Sequence, residues 1–194
     1  MSKKVVWLAV LALAVPLVAF ANSIDVSNIG GVVAGNSSGL TLTGSTLISY
    51  GSVVGANLGT VSFSTGAFAS GDAQMGGTLA AGGTFTITGN GTSGLPNGVI
   101  FSGSFTSATW TMETLADGTH NYILTGALVS PTGQVGATTQ ITINTGTGLF
   151  NGSAGLSSGN TNLDVSVPEP ATLILFGTGL LSLAGIRRRK RSLT

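Results

Sequence analysis

The sequence predicts an all-β protein, a single antiparallel β-sandwich held between two short apolar ends. Three observations carry this. Gly is abundant, 31 residues in 194, and helix-forming Lys, Arg, Glu and Gln are scarce between Asn22 and Val167. Thr, Val, Ile and Phe carry the patterned stretches, which favours short strands joined by Gly-rich turns. Several runs alternate strictly with period two, as half-buried strands do. A repetitive β-solenoid is the alternative, ranked second because the strand spacing is too uneven for a fixed repeat.

Taken in order, Met1-Ser2-Lys3-Lys4 is a positive start, Val5–Phe20 an apolar run, and Ala19-Phe20-Ala21 an Ala-x-Ala site. That order is a secretory signal helix, cut after Ala21 by signal peptidase and outside the fold. Domain boundaries follow as signal peptide 1–21, Gly/Ser/Thr-rich β-sandwich 22–160, linker 161–167 and tail 168–194. Composition predicts disorder at the edges of the body, around Asn28–Gly39 and Gly152–Ser166.

Within the body, Leu40–Thr43, Thr60–Ser64, Thr84–Thr88 and Gln140–Asn144 each place apolar residues on one face and hydroxyls on the other. Val99, Phe101 and Phe105 share a side. Ala108, Trp110 and Met112 then take up the even positions, so a bulge or corner is expected near Thr106-Ser107. Asp117-Gly118 between the runs Thr109–Leu115 and His120–Thr125 predicts a hairpin with a tight type I′ turn. Eight to ten strands are expected across 40–151, with no helix.

Charge narrows the function. All seven Lys and Arg residues lie at the extremes, Lys3, Lys4, Arg187, Arg188, Arg189, Lys190 and Arg191. The segment 22–167 holds none, and its carboxylates are Asp25, Asp72, Glu113, Asp117 and Asp164. A cation-free middle suits a segment built to cross a membrane. It also excludes nucleic acid and phosphate as partners, since nothing neutralises their charge. There is no cysteine, hence no disulfide, thiolate metal site or cysteine nucleophile.

The inventory for catalysis is thin, and the expectation is a protein that is not an enzyme, with no cofactor and no metal. His120 is the single histidine. With Asp117 and Glu113 nearby in sequence it reads as a locally charge-paired side chain, and no Gly-x-Ser-x-Gly elbow accompanies it. Asp72, Glu113 and Asp117 are the candidates for a glycosidase pair, but Asp117 and Asp72 are explained as turn residues. Trp110 and Tyr122, on the two arms of the hairpin, are the candidate glycan-binding residues. The competing and favoured reading is that Trp110 fills the core with Met112. Thr84, Thr86 and Thr88, with Thr109 and Thr111, form hydroxyl ladders that admit ice binding only as a minor reading.

The back end is the most specific part of the chain. Pro168-Glu169-Pro170 precedes an apolar run, Ala171–Ile186, and a basic stop, Arg187-Arg188-Arg189-Lys190-Arg191. Sixteen helical residues reach about 24 Å against a hydrocarbon core of about 30 Å, so this transmembrane helix suits a transient, processed anchor. Prolines on either side of Glu169 stop a helix and hold the site extended for a protease. The segment closely resembles the PEP-CTERM sorting tail, also called an ice-binding protein C-terminal segment. The resemblance implies recognition by a membrane-embedded exosortase, cleavage near Pro-Glu-Pro, and release to the cell surface or the extracellular polymer. An exported structural or adhesive role follows as the expectation, with extracellular polysaccharide as a partner; a carbohydrate-binding module is the alternative, and a small glycan-active enzyme ranks lower.

Overall fold

A computed structural model describes residues 22–131 and 135–165. The expected signal helix, the expected transmembrane helix and the rest of the tail lie outside the described residues. Among the described residues there are eleven strands and no helix. They are β1 (Asn22–Ile29), β2 (Val32–Asn36), β3 (Gly39–Tyr50), β4 (Val53–Thr65), β5 (Phe68–Asp72), β6 (Gly76–Leu79), β7 (Gly82–Asn90), β8 (Asn97–Thr114), β9 (His120–Val129), β10 (Val135–Asn144) and β11 (Ser153–Val165).

Every pairing is antiparallel, and the strands belong to one sheet in the order β5-β6-β8-β7-β4-β3-β1-β11-β10-β9. The all-β antiparallel expectation therefore holds. The two expected layers are opposite walls of one continuous sheet, because β8 also pairs with β9 and closes the path. The length of β8 makes closure possible. Its first half pairs with β7, and from Ser104 onward it pairs with β9. Around the ring the strands follow chain order, an up-and-down meander without long crossovers. The hairpin β5–β6 is an insertion, carried along β8 by Gly77↔Trp110 and Leu79↔Ala108.

β1 and β2 act as one strand broken at Gly30-Gly31. Both pair with β3 on one side and β11 on the other. The two glycines sit at φ +67° and +83°, a conformation other residues enter at a cost. Just before the break, the register slips between Ser27 and Asn28. The buried Asn28 amide donates to Ser45 Oγ at 2.7 Å, and Ser45 Oγ donates to the Ile29 carbonyl at 3.2 Å.

The interior is apolar and follows the alternation read from the sequence. Leu40, Leu42, Val61, Phe63, Phe85, Ile87, Ile141 and Ile143 all point inward and are buried. Phe101, Phe105, Ala108 and Trp110 are buried too, and the β8–β9 register shifts between Phe105 and Ser107. This is the expected bulge, which moves the buried set from odd to even positions. Val99 departs from the expectation: it is 64% exposed. A second shift sets Ile87 opposite Phe101 but Thr88 opposite Val99, so Ile100 takes the extra position and the phase flips once more.

Three further expectations are corrected. Within the stretches around Asn28–Gly39 and Gly152–Ser166, β2 and β11 are ordered strands that pair with each other, Ser153↔Ala34 to Gly155↔Val32. Val33, Leu156 and Leu163 are buried there, while Ile29 and Val32 stay exposed. The sheet runs through 161–165, because β11 lies between β1 and β10 up to Val165. Hydrogen bonds from both sides hold backbone there that composition alone assigned to a linker. Finally, the β8–β9 loop is Leu115–Thr119, closed by Leu115 N–H to the Thr119 carbonyl at 2.8 Å and Gly118 N–H to the Leu115 carbonyl at 2.9 Å. Ala116 and Asp117 are its central residues, and Gly118 (φ +82°) follows. Ser93 is the one non-Gly residue at positive φ among those described, so Asp117 is not in the type I′ conformation. Its side chain instead accepts from Thr119 N–H at 3.0 Å and Thr119 Oγ1 at 2.8 Å, an Asx-type turn.

Candidate functional site

Strand directions give the barrel two distinct ends. Asn22 pairs with Val165 across the first rung of the β1–β11 ladder. The first and last described residues thus lie on adjacent strands at one end. Ala19, Ala21, Pro168, Glu169, Pro170 and Arg187–Arg191 lie outside the described residues. At the opposite end are the β2–β3 turn, the β5–β6 turn, the β8–β9 loop and the β10–β11 loop, by the antiparallel order of the strands.

Trp110 and Tyr122 support this second end from beneath. They are 1% and 0% exposed, so neither candidate offers a ring face to a sugar, and Trp110 fills the core as the favoured reading had it. Both sit at inward positions of β8 and β9, where Trp110↔Leu124 and Met112↔Tyr122 are register pairs. The rings stack at 5.4 Å, and each packs on Phe150 at 5.8 Å. Met112 packs against the same core, as expected. Their polar tips are used as well. Trp110 Nε1 donates to the Ala73 carbonyl at 2.8 Å, and Tyr122 Oη donates to the Gln74 carbonyl at 2.7 Å while accepting from Phe150 N–H at 3.0 Å. A buried aromatic with a satisfied polar tip contributes packing and orientation together. Here it fastens the β5–β6 turn and the β10–β11 loop to the core.

Over this clamp lies an open depression of about 440 Å³. Asn36, Asp72, Gln74 and Asn151 line it, with Phe68 and Phe150 among its apolar residues. Asp72 Oδ1 accepts from the N–H groups of Gln74 and Met75 at 2.8 and 2.7 Å. Asn36 Oδ1 accepts from Ser38 N–H at 2.8 Å. Asp72 is thus a turn residue, as read from sequence. Asn36-Ser37-Ser38 and Asn151-Gly152-Ser153 stand out in sequence only as Asn-x-Ser/Thr patterns, and Gln74 carries no sequence signal of its own.

The remaining titratable groups do not assemble. His120 Nδ1 lies 3.0 Å from Thr114 Oγ1, a hydroxyl rather than the expected carboxylate partner. Glu113 is exposed and opposite Asn121. The backbone and side-chain bonds from Thr119 hold the Asp117 carboxyl below the ordinary carboxylate range. Burial pushes the Tyr50 phenol up. Among the described residues no three His, Cys, Asp or Glu side chains are grouped to hold a metal.

The outer wall is mostly hydroxyls and amides, with Asp25, Glu113 and Asp164 as exposed carboxylates on its strands. One register row runs Ser27–Asn160–Gln140–Thr125–Thr109–Thr78–Ser70 across seven strands. Cross-strand bonds knit parts of it, such as Ser27 Oγ to Asn160 Oδ1 at 3.0 Å and Ser70 Oγ to Thr78 Oγ1 at 2.7 Å. Thr84, Thr86 and Thr88 face the same outward way on β7. Hydroxyls outside and aliphatic groups inside are the reverse of a lipid-facing barrel. Among the described residues no helix is long and apolar enough to cross a membrane.

Neither curated proteins nor solved structures yield a match to this chain. Residues 166–190 match the family model of the PEP-CTERM protein-sorting motif. That segment begins directly after Val165, the last residue of β11. The chain is therefore an exported protein whose β-barrel body ends in a PEP-CTERM sorting tail.

Proposed function

We propose that the barrel is a structural or adhesive component of the cell surface or of the extracellular polymeric matrix, a biofilm constituent with no catalytic activity of its own. A membrane-held precursor, freed from its leader by signal peptidase and cut near Pro168–Pro170 by an exosortase, is its route there. The observation that carries the reading is the outer wall made mostly of hydroxyls and amides. Such a surface exchanges hydrogen bonds with polyhydroxylated polymer and repels little of it, and each contact is weak, so many copies act together. A core of packed aromatics beneath it suits a body whose work is done by its surface.

Two measurements on the native host test this. Intact mass of the mature protein is expected to show a C-terminus near Pro168–Pro170; a C-terminus at Thr194 would remove the sorted route. Fractionation is expected to recover the protein with extracellular polymer after a salt wash. Recovery in the soluble medium alone would remove the matrix role.

A further inference from the structure

We propose that the depression at the end of the barrel opposite Asn22 and Val165 binds an uncharged saccharide chain. The inference deepens the adhesive reading above and rests on it for its biological setting.

The chemistry of the lining is selective. Asn36, Gln74 and Asn151 supply amide donors and acceptors, and Asp72 supplies a carboxylate acceptor. Sugar hydroxyls need both kinds. Phe68, half-buried at the rim, offers an apolar surface of the sort that pairs with the C–H face of a pyranose. The volume of about 440 Å³ falls within the range of small-ligand sites.

Charge decides which saccharide. Asp72 is the acidic side chain in the lining, and 22–167 contains no Lys or Arg. Uronate, sulfate or phosphate groups would meet a like charge and no counter-charge. A neutral glycan meets neither penalty.

Rigidity favours binding at this end. The backbone at Ala73, Gln74 and Phe150 is tied to Trp110 and Tyr122 by the three buried hydrogen bonds already described. Loops held in one conformation before the ligand arrives lose less entropy when it does. Position favours it too. Asn22 and Val165 pair at the far end, away from the depression.

The test uses the mature secreted protein, titrated with cello-, manno- and xylo-oligosaccharides and, separately, with alginate oligomers, followed by amide NMR shifts. At least one neutral series is expected to shift the amides of Asn36, Gln74 and Asn151, and alginate to leave them unmoved. Asn151→Ala and Gln74→Ala, each with an unchanged near-ultraviolet Trp signal, are expected to weaken that binding at least tenfold. Thr109→Ala on the outer wall is expected to leave it unchanged. Silence with every neutral series, shifts confined to the outer wall, equal affinity for alginate, or indifference to both depression variants would each overturn the site. A protein that stays with the matrix yet ignores all neutral probes removes this inference alone. One that binds a neutral probe but washes free of the matrix keeps the site and removes the matrix reading.

Discussion

Two aromatic clusters fill the barrel, and they do different work. Phe63, Phe85, Phe101 and Phe105 pack through stacked and edge-on contacts at 6.0 to 6.3 Å. They have no polar atom to place, and they fill space between β4, β7 and β8. Trp110, Tyr122 and Phe150 pack more closely, and the first two send hydrogen bonds to loop backbone. The first cluster holds the walls together, whereas the second holds the walls together and also sets the shape of the end that carries the depression. Burial alone does not distinguish the clusters; the polar tips do.

The comparison breaks first under truncation. Phe85→Ala and Trp110→Ala are each expected to cost about 3–5 kcal/mol, the range for large aromatic deletions in a core, measured by urea unfolding. What separates them is local. Trp110→Ala should also speed amide exchange at Ala73–Met75, and Phe85→Ala should not. Equal exchange in both variants would mean that the Trp110 bond to Ala73 fastens nothing.

A finer cut removes only the tip. Tyr122→Phe keeps the ring and loses the bonds to the Gln74 carbonyl and from Phe150 N–H. A buried N–H left without a partner costs about 1–3 kcal/mol. The expected result is a loss of that size, with faster exchange at Phe150 and Gln74 and an unaltered Phe63–Phe105 cluster. A loss near zero would show that water takes over both bonds.

The smallest effect is expected from pH at the same end. Asp117 is held below the ordinary carboxylate range by its bonds from Thr119. A depressed folded value means that the turn is favoured above the usual carboxylate pKa. That contribution fades as pH falls through the depressed value. The Thr119 amide resonance should therefore titrate at lower pH than a free aspartate. Titration at the ordinary value would deny the Asx turn its role.

How far the fold was legible follows from the same residues. Thr84–Thr88 and Gln140–Asn144 were readable because each half-buried strand records its two faces locally. The bulge near Thr106-Ser107 was readable because the buried set changes parity within one strand. Asn28–Gly39 and Gly152–Ser166 were not. Each pairs with the other across more than a hundred positions, and in isolation either one has too few apolar residues to suggest order. The turn type failed for a different reason: Asp-Gly fits several loops, and the Thr119 bonds to Asp117 choose among them. The depression was not legible because Asn36, Asp72 and Asn151 come from three separate turns.

The sequence by itself determined export, the sorting tail, the all-β class and the alternation of β3, β4, β7, β10 and most of β8. Each of these is written in neighbouring residues, as hydropathy, charge position or period-two pattern. Tertiary structure alone decided that the sheet closes through β8 and β9, that Tyr122 faces inward beside Trp110, and that two Gly-rich stretches are partners. Those outcomes depend on hydrogen bonds and packing between segments far apart in the chain, and their free energy exists only once the distant partner has arrived.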